Sequence, residues 1–321
     1  MTKSSKIPDK PDVLIIGGGP AGLSAFKWCG ELGLSAILVE GKREFGGQLL
    51  SINNPITNYL GRTTANGREM LGHFLSQIEG LENGAILNAS VVEFDPQGIA
   101  ATLSNGQTLE ARAAIIATGV RRRRLRVPGE TEFAGHGILE SGARDKTSVA
   151  GKRVAIIGGG DAALENASIL SEFAAKVYVI HRRSEFSARP EFVESASRHP
   201  NIEFIFDSVI TELKGGKALS AIELRTGLSA RTIEIDAALI RIGVQPNSEI
   251  FSGTLNLSSS GYVEVDEMGT TNIANVFAAG DIVFQISPTL QSSTGAAATA
   301  VKAIFNLIHQ ERGGPRKISK K

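Results

Sequence analysis

Val13-Leu14-Ile15-Ile16-Gly17-Gly18-Gly19-Pro20-Ala21-Gly22 is the stretch that decides the fold of this chain. Four consecutive apolar residues read as a short strand. The glycine turn follows at once, and a helix-like stretch runs from about Ala21 to Leu32. A second apolar run, Ala36 to Val39, ends in Glu40. Gly17, Gly19 and Gly22 have the spacing GxGxxG. In this context Gly17 permits a tight turn, Gly19 lets backbone approach a pyrophosphate, and Gly22 lets the helix pack closely on the strand. Phosphates would sit at the helix N-terminus opened by Pro20 and Ala21, where unpaired N–H groups and the helix dipole favour negative charge. Glu40 is placed to accept hydrogen bonds from a ribose. The strand before the turn and the acid after it separate this unit from an ordinary glycine turn.

The unit recurs. Val154 to Ile157 is apolar, Gly158, Gly160 and Ala163 give GxGxxA, and a helical stretch that includes Asp161 and Ala162 continues to about Phe173. The next strand, Val177 to Ile180, ends in His181-Arg182-Arg183 rather than in an acid. An acid there would repel the 2′-phosphate of NADP, whereas an arginine pair neutralises it. Arg182 and Arg183 could equally form a solvated basic turn; behind a second fingerprint, NADPH is the better reading. Two fingerprints mean two dinucleotides, and so an α/β chain of two Rossmann-like domains, each a three-layer ββα arrangement.

Composition agrees with that size. A chain of 321 residues suggests about two domains. A formal net charge of +1 provides no global field to recruit nucleic acid or an anionic membrane. No apolar run approaches the roughly 20 residues that span a bilayer. The polar start, Met1 to Pro11, lacks the apolar stretch of a signal peptide and reads as a disordered leader, and Gly313 to Lys321 reads as a frayed basic tail. The expected location is the cytoplasm. The five histidines show no metal-ligand spacing, so no metal is expected. Cys29 is the one cysteine, which excludes an internal disulfide and a CxxC pair. Its helical spacing with Ala25, Phe26 and Leu32 marks it as a small core residue rather than a redox group.

Two further segments return to the first domain. Ala113 to Ala117 ends in Thr118-Gly119, and Asn275 to Ala279 ends in Gly280-Asp281. Ligands lie beyond the carboxyl ends of such strands, so Asp281 would meet a ribitol or ribose hydroxyl, or else cap the next turn. Pro288 to Thr294 leads into an Ala-rich helical stretch, Gly295 to Ile308, whose N-terminus could aim its dipole at a flavin carbonyl.

Together these segments resemble the thioredoxin reductase branch of the pyridine-nucleotide flavoprotein disulfide reductases. The matching stretches are GGGPAGLSA from Gly17, FGGQL from Phe45, ATG from Ala117, VPGE from Val127 and VAIIGGGDAALENA from Val154. IHRR from Ile180, IGVQPN from Ile242 and TNIANVFAAGDI from Thr271 complete the series, which covers about Asp12 to His309. The resemblance implies an FAD domain made of residues 1–121 and 245–321, with an NADPH domain of residues 122–244 inserted in it. It implies a homodimer and a rotation between domains. It places Gly47, Gln48, Thr118, Gly119, Gly280 and Thr294 at FAD. It places Asp161, Ala162, His181 and Gly243 at NADPH.

The chain departs from the family where the chemistry should be. The place of the family's CxxC-Asp holds Ser141-Gly142-Ala143-Arg144-Asp145. A serine hydroxyl cannot undergo thiol–disulfide exchange, which needs a thiolate. Asp145 is a weak catalytic candidate beside its simpler roles of helix cap or salt-bridge partner. The family's C-terminal arginine-glutamine pair is also missing, replaced near Ile286 to Pro288. Flavoenzymes of this fold without CxxC include ferredoxin- or flavodoxin-NADP reductases, which exchange electrons with acidic carriers. The run Arg121 to Arg124 with Arg126 could steer such a carrier, grip phosphate, or be a solvated linker. Three functions stay open: an NADPH-dependent FAD oxidoreductase with a non-dithiol acceptor (ferredoxin, flavodoxin or a small molecule), a disulfide reductase using cysteines outside this chain, and a non-catalytic nucleotide-binding regulator.

Overall fold

An all-apolar strand is stable only where both faces are covered, and each such run here lies inside a parallel sheet with a layer on either side. The computed structural model describes residues 10–283 and 286–311. The tail expected from Gly313, and all but the end of the leader, lie outside the described residues. So do two of the residues just before the Ile286 to Pro288 replacement.

The chain opens with β1 (Val13–Ile16), α1 (Pro20–Glu31), β2 (Ala36–Glu40), α2 (Gly67–Ile78) and β3 (Gly84–Asn88). An antiparallel three-stranded sheet follows, β4 (Val91–Asp95), β5 (Ala100–Leu103) and β6 (Thr108–Glu110), and then β7 (Ala113–Ile116). β8 (Val120–Arg122) leads to β9 (Ile138–Leu139), α3 (Gly142–Asp145), β10 (Arg153–Ile157), α4 (Asp161–Ser171), β11 (Lys176–Ile180), α5 (Pro190–Ser197) and β12 (Ile202–Ile205). A second antiparallel sheet, β13 (Ser208–Gly215), β14 (Leu219–Thr226) and β15 (Ser229–Glu234), precedes β16 (Ala237–Ile240). β17 (Val244–Pro246) pairs with β8, and β18 (Val276–Ala278) and α6 (Leu290–Glu311) end the described fold.

The chain divides into two compact units, Met1–Arg121 with Gln245–Lys321, and Arg122–Val244. In the first unit the parallel sheet runs β18-β7-β1-β2-β3. Val13 and Ile15 face a core shared with α1 and α6, while Leu14 and Ile16 face a second core shared with the β4–β6 sheet. The period-2 alternation of a strand therefore feeds two cores at once, which is why β1 has no polar position. The second unit repeats the plan. Its sheet runs β12-β11-β10-β16-β9, with Val154 and Ile156 toward α4 and Ala155 and Ile157 toward the β13–β15 sheet. In both sheets the first strand of the fingerprint lies between its successor and a strand that returns later in the chain. The winding reverses there, and that gap is where a ligand has room. No helix among the described residues is long and apolar enough to cross a membrane.

One expected boundary moves. The last helix begins at Leu290, not near Gly295. The Thr289 hydroxyl accepts the Ser292 N–H and the Ser292 hydroxyl accepts the Thr289 N–H, both near 3 Å, a reciprocal cap that stops the helix there. Thr294 is thus inside the helix, its hydroxyl donating 2.9 Å back to the Leu290 carbonyl. The Gln-Ser-Ser-Thr opening hides the helix from an apolar-period reading, because these residues cap as readily as they continue.

Candidate nucleotide sites

In the first unit the loop after β1 is shaped by contacts only glycine can make. Gly17 has φ +110°, and a Cβ there would lie 2.4 Å from the Ala117 carbonyl oxygen. A Cβ on Gly22 would lie 1.8 Å from the Gly17 oxygen. Gly19 differs: its Cβ would meet nothing nearer than the Gly47 Cα at 3.9 Å. The protein itself leaves that space empty, as a cradle for backbone-bound phosphate requires. The FGGQ turn closes over it, with the Gly46 N–H donating 2.9 Å to the Gly18 carbonyl and the Phe45 ring packed against Gly18. Helix α1 starts with Pro20 and has no side-chain cap, so its leading N–H groups stay available to a ligand.

Glu40 is buried and fixes this loop. Its carboxylate accepts the Gly18 N–H at 2.8 Å and the Lys42 N–H at 2.7 Å. Each carboxylate oxygen keeps a second lone pair, so the anchor and a ribose hydroxyl are compatible. Thr118 and Gly119 are locked by a residue that local spacing does not single out. Asn247 donates its amide to the Thr118 carbonyl at 2.7 Å, its N–H to the Gly119 carbonyl at 2.9 Å, and its own carbonyl accepts the Thr118 hydroxyl at 2.9 Å. Gln48 donates to the Val120 carbonyl at 2.6 Å. Asn247 lies within the IGVQPN stretch, so a signal exists, but its partner is 129 positions away. Phe45, which opens the FGGQL stretch, and Ser293 are two more site neighbours that the sequence does not single out as site residues.

Gly280 packs on the start of α1, where its Cβ would lie 2.7 Å from the Ala21 Cβ. Asp281 follows it, and burial raises its carboxyl above the ordinary carboxylate range, only partly offset by a 3.4 Å bond from the Ser293 hydroxyl. A carboxyl with a raised folded-state pKa holds its proton more tightly folded than unfolded, so stability falls as pH rises from the ordinary carboxylate range through the raised value. Asp281→Asn is therefore expected to raise the melting temperature of cofactor-free protein at neutral pH, with the gain fading as the pH falls through the raised value toward the ordinary carboxylate range and absent below it. A gain that stays the same in acid would disprove the charge origin.

In the second unit, a Cβ on Gly158 would lie 2.1 Å from the Arg241 carbonyl, whereas one on Gly160 would meet only Ser187 at 3.9 Å. The tight and open positions of the first loop are repeated. Helix α4 also lacks a side-chain cap at Gly160. Ala162 and Ala163 continue its first turn, Ala163 fully buried. Asp161 is occupied: its carboxylate accepts the Arg189 N–H and Nε, both at 2.8 Å, which neutralises an acid that would otherwise repel phosphate. His181 is buried against Gly159, and its Nε2 has no hydrogen-bond partner among the described residues. Burial lowers its pKa, a backbone bond with Glu185 opposes this, and Arg183 and Arg182 lower it further, so the ring is neutral at pH 7. A buried unsatisfied nitrogen is costly and points to a ligand. Arg182 and Arg183 are exposed and form no ion pair among the described residues. The open glycine cradles and the unsatisfied His181 nitrogen both fit bound dinucleotides. Gly243, just after β16, has φ +89°, and a Cβ there would meet no atom within 4 Å.

No dithiol stands at α3. Ser141 caps that short helix by accepting the Arg144 N–H at 3.4 Å. Asp145 accepts the N–H groups of Glu140 at 2.8 Å and Ser141 at 3.0 Å, and Arg144 Nε at 2.7 Å. Burial would raise its pKa, but these bonds outweigh it and hold the carboxyl below its usual range. Asp145 thus fastens a turn. Cys29 is fully buried in α1, and burial pushes its thiol far up. The arginine run is largely committed to internal contacts: Arg121 pairs with Glu249, Arg123 donates to the Val244 carbonyl at 2.8 Å, and Arg124 donates to the Thr131 hydroxyl at 2.7 Å.

Residues 11–304 match the family described as pyridine nucleotide-disulphide oxidoreductase. The chain is similar to a thioredoxin reductase of Streptomyces coelicolor, 33% identical over 281 residues that cover 86% of this chain and 87% of that one. A thioredoxin reductase of Mycolicibacterium smegmatis is 34% identical over 278 residues, covering 85% and 88%. Among solved structures, Lactococcus lactis thioredoxin reductase superposes with a TM-score of 0.83 at 27% identity, over 94% of this chain and 100% of that one.

Proposed function

This chain belongs to the pyridine nucleotide-disulphide oxidoreductase family and is an NAD(P)H-dependent FAD oxidoreductase, and we propose that its electrons go to a non-dithiol acceptor. The observation that carries this reading is the sequence Ser141-Gly142-Ala143-Arg144-Asp145 in the place of the family's redox pair, with Cys29 the one cysteine and fully buried. Thiol exchange has no group to start from.

The thioredoxin reductase family uses FAD and NADPH. When bound, FAD supplies hydride acceptance and the release of electrons one at a time. This chain's residues would do the rest. The α1 N-terminus and the open space at Gly19 receive pyrophosphate, and Glu40 holds the loop in shape. Asn247 and Gln48 brace the Thr118–Val120 segment beside it, and Asp281 presents a desolvated carboxyl for a hydroxyl. In the second unit α4 receives the other pyrophosphate, while Arg182 and Arg183 take the 2′-phosphate and the neutral His181 supplies a hydrogen bond.

A ferredoxin, a flavodoxin or a small molecule could each receive the electrons. Glu249 and Glu130 pair with Arg121 and Arg124, which reduces the charge of the arginine run available for steering an acidic protein and favours the small molecule. A homodimer in the cytoplasm fits the relatives. The second reading, a disulfide reductase with cysteines supplied by another protein, has the thioredoxin reductase relatives in its favour.

The test has two stages. Anaerobic NADPH is expected to bleach the visible absorbance of the FAD-loaded protein stoichiometrically; a flavin that stays yellow defeats the enzyme reading. Turnover is then expected with quinones or one-electron carriers and to be absent with thioredoxin plus a disulfide reagent. Turnover with thioredoxin alone among the acceptors would establish the second reading.

A further inference from the structure

Three arginines surround α3, and among the described residues only Arg144 forms contact ion pairs. Arg144 takes the Glu140 carboxylate at 2.6 Å and Asp145 at 2.7 Å. Arg144 holds both acids in direct contact, and Asp145 also accepts two backbone N–H groups, so neither acid contacts Arg122 or Arg241 directly. Arg122 and Arg241 come from separate places, β8 and the residue after β16, yet both guanidinium groups donate to a single atom, the Glu140 carbonyl oxygen, Arg241 at 2.8 Å. Arg241 further donates 2.8 Å to the Ile240 carbonyl. Neither forms an ion pair with a carboxylate among the described residues.

A carbonyl carries only a partial charge, so neither guanidinium is closed by a contact ion pair; Arg241 is half-buried and Arg122 exposed, and Glu140, Asp145 and Glu165 attract them only from beyond ion-pair distance. Burial lowers the Arg241 pKa to about 10 and the Arg122 charge lowers it further, against the pull of Asp145 and Glu165. Arranging like charges this way is costly unless something negative completes the set. The position is informative too. Arg241 directly follows β16, the strand that lies across the winding reversal from the β10 fingerprint, on the side opposite β11 and its Arg182-Arg183 pair. The dinucleotide's 2′-phosphate therefore belongs to the far side of the sheet from this pair.

We propose that Arg122 and Arg241, converging on the Glu140 carbonyl beside α3, form an anion site that captures a carboxylate or oxyanion group of the electron acceptor. Planar guanidinium forks match such groups with paired N–H···O bonds. The site stands where the sequence places the family's dithiol, so an anchored small acceptor takes over the position of the missing sulfurs. That the anion belongs to the acceptor rests on the oxidoreductase reading above; the binding site does not.

The experiment is calorimetric titration of FAD-loaded protein, saturated with NADP⁺, with sodium benzoate and separately with inorganic phosphate. Saturable one-to-one binding of at least one probe is expected. Arg241→Gln and Arg122→Gln should each weaken it by about tenfold or more, the loss of one charge-assisted pair. Arg241→Lys should recover only part, because a lysine keeps the charge and loses the fork. Arg198→Gln, which removes an exposed cation just after α5 paired with Glu194, should change binding by less than about twofold, as a screened surface charge does. No binding under NADP⁺ saturation, or equal weakening by Arg198→Gln and Arg241→Gln, overturns the site. A protein bleached by NADPH that binds neither probe loses only this inference. One that binds a probe through Arg241 but is not bleached keeps the site and loses the acceptor role.

Discussion

Gly19→Val is expected to abolish FAD retention while leaving the cofactor-free chain folded, whereas Gly22→Ala, the smaller change, is expected to unfold the first unit. The two glycines are three residues apart in one motif, and their surroundings are opposite. A Cβ on Gly22 would lie 1.8 Å from the Gly17 carbonyl oxygen and 3.0 Å from its carbon. Backbone cannot give way there without parting α1 from β1, which overpacking arguments put at about 3 kcal/mol or more. A Cβ on Gly19 meets only the Gly47 Cα at 3.9 Å, an ordinary contact. Its backbone has φ −76°, which valine tolerates. The valine side chain would instead fill the approach that pyrophosphate needs, and a loss of FAD affinity on the order of 100-fold or more follows. Thermal melts of apo protein and FAD titration separate the effects. Equal apo melting of the two variants would remove the packing contrast between the two glycines, and normal FAD binding by Gly19→Val would show that the open space does not serve the cofactor.

Arg182→Gln combined with Arg183→Gln is expected to weaken NADPH by about 100-fold, at two charge-assisted contacts of roughly 1.5 kcal/mol each. NADH should change by less than about threefold, because it lacks the phosphate those groups address. Both guanidinium groups are exposed and form no ion pair among the described residues, so their removal leaves no buried charge stranded and the fold should be undisturbed. Raising salt should imitate the substitution in part, since exposed charges are screened. Parallel losses for the two nucleotides, measured by flavin bleaching rates or by direct titration, would remove the 2′-phosphate assignment and return the pair to an ordinary basic turn.

These two results probe features that are legible to different degrees. The strands β1 and β10, the glycine turns and the helices behind them follow from apolar runs and local spacing, because a strand buried on both faces must be apolar throughout and a fingerprint turn must be small. The missing dithiol is equally plain, since one buried cysteine makes no pair. The start of α6 is not legible, because Gln291, Ser292 and Ser293 suit a cap and a first turn equally well, and only the Thr289–Ser292 exchange of hydrogen bonds selects between them.

The amino-acid order alone determined two dinucleotide units, their layer architecture and the lack of a cysteine pair, because each is read from residue identities and spacing within about one strand-turn-helix unit. Tertiary structure decided which positions share a surface: that Gly47 closes over Gly19, that Asn247 locks Thr118 from 129 positions away, and that Arg122 and Arg241 reach one carbonyl. Those meetings are made by chain crossings between distant strands. Local periodicity fixes which side of a strand a residue takes, while its partner is set by which strand the fold lays beside it.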